Sequence, residues 1–190
     1  MTRKDICMTI ICSLWLPILV SSVAVFLVSS IIHMFLPWHK NDYLPLPSEE
    51  KILEALRSFS ISPGDYMFPR PSSMKEMKST EFKEKQEKGP VGVITLWKHT
   101  SMSGSMVLWF LFSVVINIFA AYIAGHALVG KPSNHGIFRY VGTAAFMGYT
   151  FGVWPMSIWY HRKWSTTIKT TIDGFIFAVV TAFVFIWLWP

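Results

Sequence analysis

The sequence predicts an all-α integral membrane protein with four transmembrane helices and an extramembrane loop of about 65 residues between the first and second. Three observations carry this. Apolar residues make up 52% of the 190-residue chain and charged residues 15%, well below the roughly 25% charge of a soluble domain, and the mean hydropathy is +0.41. Nineteen of the 28 charged residues lie between Pro37 and Thr100. The remainder holds four apolar runs, each near the roughly 20 residues that a helix needs to cross a bilayer core. This pattern excludes a cytosolic enzyme, a disordered tail and a disulfide-stapled secreted domain.

Residues 1–36 hold the first span, from about Ile10 to Leu36, with Pro17 near its start. Arg3 and Lys4 resemble the n-region of a signal peptide. The apolar run exceeds the roughly 7–15 residues of an h-region, and no small-x-small site ends it, so a retained helix is expected. Cys7 and Cys12 read as buried or lipid-facing thiols. Residues 37–104 form the loop. Ser48 followed by Glu49 and Glu50 reads as an N-cap with acids facing the helix dipole, and Ile52, Leu53 and Leu56 give that helix one apolar face. Ser62-Pro63-Gly64-Asp65-Tyr66 reads as a turn and Met67–Pro71 as extended chain. Lys75–Lys88 reads as an exposed helix or a tether, and Val91–Trp97 as a short strand. Such a segment makes a poor independent core. Its ten basic and nine acidic residues disfavour nucleic acid despite a pI near 9.4.

Residues 105–190 hold the other three spans, at about Met106–Val129, Ile137–Tyr160 and Ile168–Trp189. Helix is expected because lipid cannot satisfy open backbone groups. Trp38, Trp97, Trp109, Trp159, Trp164 and Trp187 mark the water boundaries. No docking domain is expected after Pro190. Four spans put the termini on one side. The side of the long loop carries thirteen Lys/Arg and the other four, which favours a cytoplasmic loop.

Helices in lipid associate by close backbone approach and a few polar contacts. Gly148 and Gly152 form a G-x-x-x-G in the third span, Ala121 and Gly125 share that spacing in the second, and Gly174, Ala178 and Ala182 form a stripe in the fourth. These are expected packing positions, with the third span central and Pro155 as a kink. Asn117, mid-span, needs a partner; Thr150, Tyr149 and Thr181 are the candidates. Asp173, four residues past Lys169, reads as an ion pair with it or with Arg162 or His161 near the interface, and Arg139 as a snorkelling cation.

His33, His39, His99 and His161 all fall near the loop side, so they could ligate a metal or haem. Methionines 67, 74, 77, 102 and 106 on that side would suit copper(I), although no histidine pair has H-x-x-x-H spacing. No G-x-S-x-G, H-E-x-x-H, P-loop or G-x-G-x-x-G is present, and Ser101–Ser105 reads as a flexible lead-in to the second span. The parts therefore point away from an enzyme, with no catalytic residue and no cofactor expected; haem or copper is the exception the histidines leave open.

The run Pro63-Gly64-Asp65-Tyr66-Met67-Phe68-Pro69, together with Ser157–Tyr160 and Trp187–Pro190, resembles bacterial inner-membrane proteins of unassigned function. The resemblance covers the chain from about Leu44 onward. It implies a multi-pass protein of the bacterial inner membrane and transfers no activity or site residue. The expected function is a non-enzymatic accessory or structural subunit, with the lipid bilayer and either copies of itself or a larger membrane complex as partners. A small transporter or channel subunit, with a cavity lined by Asn117, Tyr149 and Thr150, is the alternative. A haem- or copper-binding redox protein is the third reading.

Overall fold

The computed structural model describes residues 13–98, 101–128 and 130–190. Arg3, Lys4, Cys7, Cys12 and His99 lie outside the described residues. The chain is mostly helical, at 72%, so a helical class is correct and only a small hairpin departs from it. It divides into two compact units, one of residues 44–98 and one of residues 13–43 with 101–190. Segment 37–43, which the sequence assigns to the loop, thus belongs with the long helices.

In the helical unit α1 spans Trp15–Ser30. Pro17 is tolerated in its first turn, where N–H groups have no intrahelical acceptor. The helix widens into a π turn at Ile31–Phe35 and stops at Leu36, whose extended ψ of 141° is the conformation favoured before a proline. Pro37 then opens a 3-10 turn, Pro37–His39. Helix α5, Met102–Ala127, begins where Ser101 accepts a hydrogen bond from the Gly104 N–H; Ser101–Ser105 is therefore a cap and first turn and no flexible lead-in. Helix α6, Asn134–Thr150, is capped by Ser133. It loosens into a 3-10 turn at Phe151–Val153 and continues as α7, Trp154–Tyr160, with Pro155 in its first turn. Proline lacks the N–H that would bond the residue 151 carbonyl, so the break falls one turn before the ring. His161, at φ 53°, ends α7 in the left-handed region, and α8 runs from Trp164 to Leu188.

Three of these segments, Trp15–Phe35, α5 and α8, are long and apolar enough to cross a membrane. They are the mark of a multi-pass helical membrane protein. α6 has 17 residues, about 25 Å at 1.5 Å rise per residue, and extends further only through the 3-10 turn and α7.

Helix α1 packs on α5 and α8, and α6 packs on the same two. The long helices close a ring in which each has two principal neighbours, so α6 is no more central than the rest. Many small residues face inward and many large ones outward. α1 buries Pro17, Ile18, Ser21, Ser22, Val25 and Ser29 while exposing Trp15, Leu19, Val23 and Leu27. That inversion suits lipid, where close approach drives association and large apolar groups have no reason to hide. Two apolar clusters stack along the bundle. One holds Leu14, Ile18, Ala120, Ala124, Val141 and Phe185; the other holds Val25, Ile32, Ala145, Tyr149, Phe177 and Ala178. Between them by sequence position on each helix lie the buried polar residues Ser21, Ser22, Asn117 and Thr181.

The second unit begins with α2, Glu49–Ser58. Ser48 precedes it in the left-handed region, at φ 52°, and its side chain makes no cap hydrogen bond, contrary to the cap expected there. Strands β1, Gly64–Phe68, and β2, Gly92–Leu96, pair antiparallel with Tyr66 opposite Ile94. The Thr95 hydroxyl donates to Asp65 across the pair at 2.7 Å. Between them lie α3, Met74–Met77, and α4, Thr80–Lys88, capped by Ser73 and Ser79, so Lys75–Lys88 is helical. Phe82 is the only buried side chain among the described residues of this unit, in keeping with the sparse core expected.

Candidate functional site

Three segments converge where α1 ends. The π turn presents His33, the 3-10 turn presents His39, and the third turn of α8 presents Asp173. Leu36 and Pro37 reverse the chain between the two histidines, so their rings stack with centroids 4.4 Å apart and planes within 7°. His39 Nε2 lies 2.8 Å from Asp173 Oδ2, and its Nδ1 lies 2.7 Å from Asp42 Oδ2. The other Asp42 oxygen accepts from Lys169 Nζ at 2.8 Å. Lys169 also sits 5.8 Å from the centre of the Trp38 ring, within cation–π range.

The result is a chain of alternating groups, Lys169, Asp42, His39, Asp173, strapping segment 37–43 to α8. Asp173 is 2% exposed, and a carboxylate so buried needs a partner close by. Both ring nitrogens of His39 lie within hydrogen-bond distance of a carboxyl oxygen. Burial raises the Asp42 carboxyl, but hydrogen bonds and charge from Lys169 and His39 outweigh it and hold the group below its ordinary value. His33 stands apart from these pairs. Its Nδ1 lies 3.0 Å from the Ser29 carbonyl, an acceptor only, so Nδ1 carries the proton and Nε2 keeps a lone pair. One ligand atom each from His33, His39 and Asp173 lies within 4.8 Å of the others.

Two apolar grooves flank the cluster. One of about 530 Å³ is lined by Ile32, Leu36, Trp38, Ile172 and Ile176 and reaches Asp173. The other, about 390 Å³, has Met34, Met102, Met106 and Trp109 around His33.

Of the four histidines singled out from the sequence, His33 and His39 meet. His161 is exposed at the end of α7 and is not in the cluster, and His99 lies outside the described residues. Asp173 and Lys169 do not pair directly: their salt-bridge partners are His39 and Asp42. Residues four apart on a helix project from the same side, and both reach the segment crossing that side. Each finds an opposite charge there. Asp42 was missed because it reads as one of many loop charges. The available signal was His39-x-x-Asp42 just after a proline, a spacing that folds both side chains into one turn.

The packing residues divide. An added Cβ at Gly174 would lie 2.4 Å from Thr150 Cγ2, and one at Gly148 would lie 3.1 Å from Ile116; Gly152 has nothing within 4 Å. Ala121, Gly125, Ala178 and Ala182 are buried. Gly152 therefore takes no part in the close approach expected of its motif, because the helix has already loosened at Phe151. Asn117 is buried, as a mid-span amide requires, but its Nδ2 donates to Ser22 on α1 at 2.9 Å instead of to Thr150, Tyr149 or Thr181. Thr150 bonds its own helix at the Phe146 carbonyl.

The fold and cluster define a multi-pass helical membrane protein with a partly buried imidazole–carboxylate site at one end of its bundle. No family model, curated protein or solved structure matches the chain.

Proposed function

We propose that the chain is a four-span, non-enzymatic subunit of a membrane assembly, with its long loop cytoplasmic in a bacterial inner membrane. α6, the 3-10 turn and α7 together provide the fourth crossing. The observation that carries this reading is the inside-out packing of the bundle. Small and polar residues supply much of its interior, and many large apolar side chains point outward, where lipid or other helices can cover them. A transport path through Asn117, Tyr149 and Thr150 fits less well. Asn117 and Thr150 have no exposed surface and Tyr149 has 7%, so these groups are sealed among helices.

Single cysteines in a background without Cys7 and Cys12 test the topology. Ser60→Cys and Lys163→Cys should label from the cytoplasmic side, and Lys131→Cys from the other. Labelling of Lys163→Cys from the same side as Lys131→Cys would refute four spans. Crosslinking in native membranes followed by purification in mild detergent tests the assembly. A chain that always emerges alone and monomeric would overturn it.

A further inference from the structure

We propose that His33, His39 and Asp173 form a binding site for one divalent transition-metal ion of the zinc class. The donors are two imidazole nitrogens and a carboxylate oxygen, a set that suits zinc and its neighbours and leaves a coordination position open.

The supporting groups carry the inference further than the donors alone. Metal-bound histidines characteristically engage their second nitrogen with a carboxylate or a backbone carbonyl, which fixes tautomer and orientation. Both arrangements are here. His39 Nδ1 meets Asp42 at 2.7 Å, and Asp42 is in turn held by Lys169. His33 Nδ1 meets the Ser29 carbonyl at 3.0 Å. That leaves His33 Nε2, His39 Nε2 and Asp173 as the donors available to an ion. A π turn and a proline-led 3-10 turn supply two of them, and π turns are frequent at functional sites. Neither turn is needed merely to end a helix.

A simple charge clip accounts for His39 and Asp173. It gives no role to His33, which is exposed and outside the ion pairs, yet lies parallel against His39 with a ring nitrogen within 4.8 Å of the other two donors. Ligands about 2 Å from a tetrahedral ion stand roughly 3.3 Å apart. The donors need to draw in from within 4.8 Å, and the exposed His33 ring must tilt out of the stack so that the lone pairs converge. The ion takes the place of the proton between His39 and Asp173, and that proton leaves to solvent. The donor atoms include no sulfur; Met34, Met102 and Met106 line the adjoining groove, whose lining does not include Asp173.

The test uses the full chain in detergent micelles, purified on a tag without histidine, stripped with chelator and reloaded with Zn²⁺ or Co²⁺. One equivalent of Zn²⁺ should survive gel filtration, and Co²⁺ should give the intense visible bands of a four-coordinate site. His33→Ala should weaken Zn²⁺ binding at least about tenfold, and Asp42→Asn about 10- to 100-fold, as for other orienting groups. His161→Ala should bind as the parent does. His33→Ala is decisive because it leaves the Lys169–Asp42–His39–Asp173 chain in place. Retention of parental affinity by that variant, or no stoichiometric metal in the folded parent, would overturn the site.

Discussion

Gly174→Ala should destabilise the bundle, and the structure says how. The new methyl would lie 2.4 Å from Thr150 Cγ2 and 3.2 Å from Tyr149 Cβ. Ordinary carbon contacts are about 3.5–4.0 Å, so the first is short by more than 1 Å. Thr150 cannot simply turn away: it is fully buried, and its hydroxyl is held by the Phe146 carbonyl at 2.6 Å. Relief must come from separating α6 and α8 or from breaking that hydrogen bond, and overpacking of this kind costs about 1–3 kcal/mol. Thr150→Ser removes the offending methyl and keeps the hydroxyl. The double variant Gly174→Ala/Thr150→Ser should therefore recover most of the loss, a coupling readable from a double-mutant cycle. Gly152→Ala, with nothing within 4 Å, should fall within about 0.5 kcal/mol of the parent. Reversible unfolding in mixed micelles provides the measurement. Equal stability of Gly174→Ala and Gly152→Ala, or no rescue by Thr150→Ser, would refute the assignment of this contact as the closest approach of α6 and α8.

Three further outcomes follow from other parts of the molecule. Ser22→Ala and Asn117→Ala should couple by about 0.6 kcal/mol, and by no more than about 1.7, as interhelical polar contacts in membranes do; additive losses would deny the bond. Phe82→Ala should open the 44–98 unit to trypsin at Lys83 and Lys85 while leaving the helical unit protected, since Phe82 is the buried side chain of that unit; unchanged cleavage would show that its core lies elsewhere. The Glu76 carboxyl, held below its ordinary value by hydrogen bonds from the Ser72 hydroxyl and N–H, should titrate higher in Ser72→Ala when followed by carboxyl NMR. Its small stabilisation is present above the ordinary carboxylate value and lost as pH falls through the lowered one; identical titration in both chains would contradict the contact.

The bundle was legible because its signals are local. An apolar run of spanning length forms a helix in lipid whatever its neighbours do, and α1, α5 and α8 begin and end close to where their runs do. The third span was harder. Its apolar run continues to Tyr160, but the missing N–H of Pro155 unwinds the chain at Phe151, and hydropathy does not register a backbone break. Asn117 announced that it needed a partner; periodicity cannot say which helix lies alongside, and the partner proved to be Ser22. The hairpin was half visible: β2 could be read as a strand, but Gly64–Tyr66 of β1 reads as a turn, and twenty-three residues separate β1 from β2, too many for a turn motif to connect them.

The candidate site shows the same division. Residue types and depth along the helices were enough to select His33 and His39, and charge within an apolar run was enough to select Asp173. Composition also determined that the chain lives in lipid, since no soluble fold could hide so many large side chains behind so few charges. Which groups meet was decided by tertiary structure alone. The reversal at Pro37 lays one histidine on the other, and segment 37–43 crosses α8 where Lys169 and Asp173 both project, so each takes a partner from across the fold in place of its helical neighbour. The reason is that hydrophobicity and helix propensity are properties of residues and their near neighbours, whereas an ion pair between positions 39 and 173 exists only after two distant segments have been packed together.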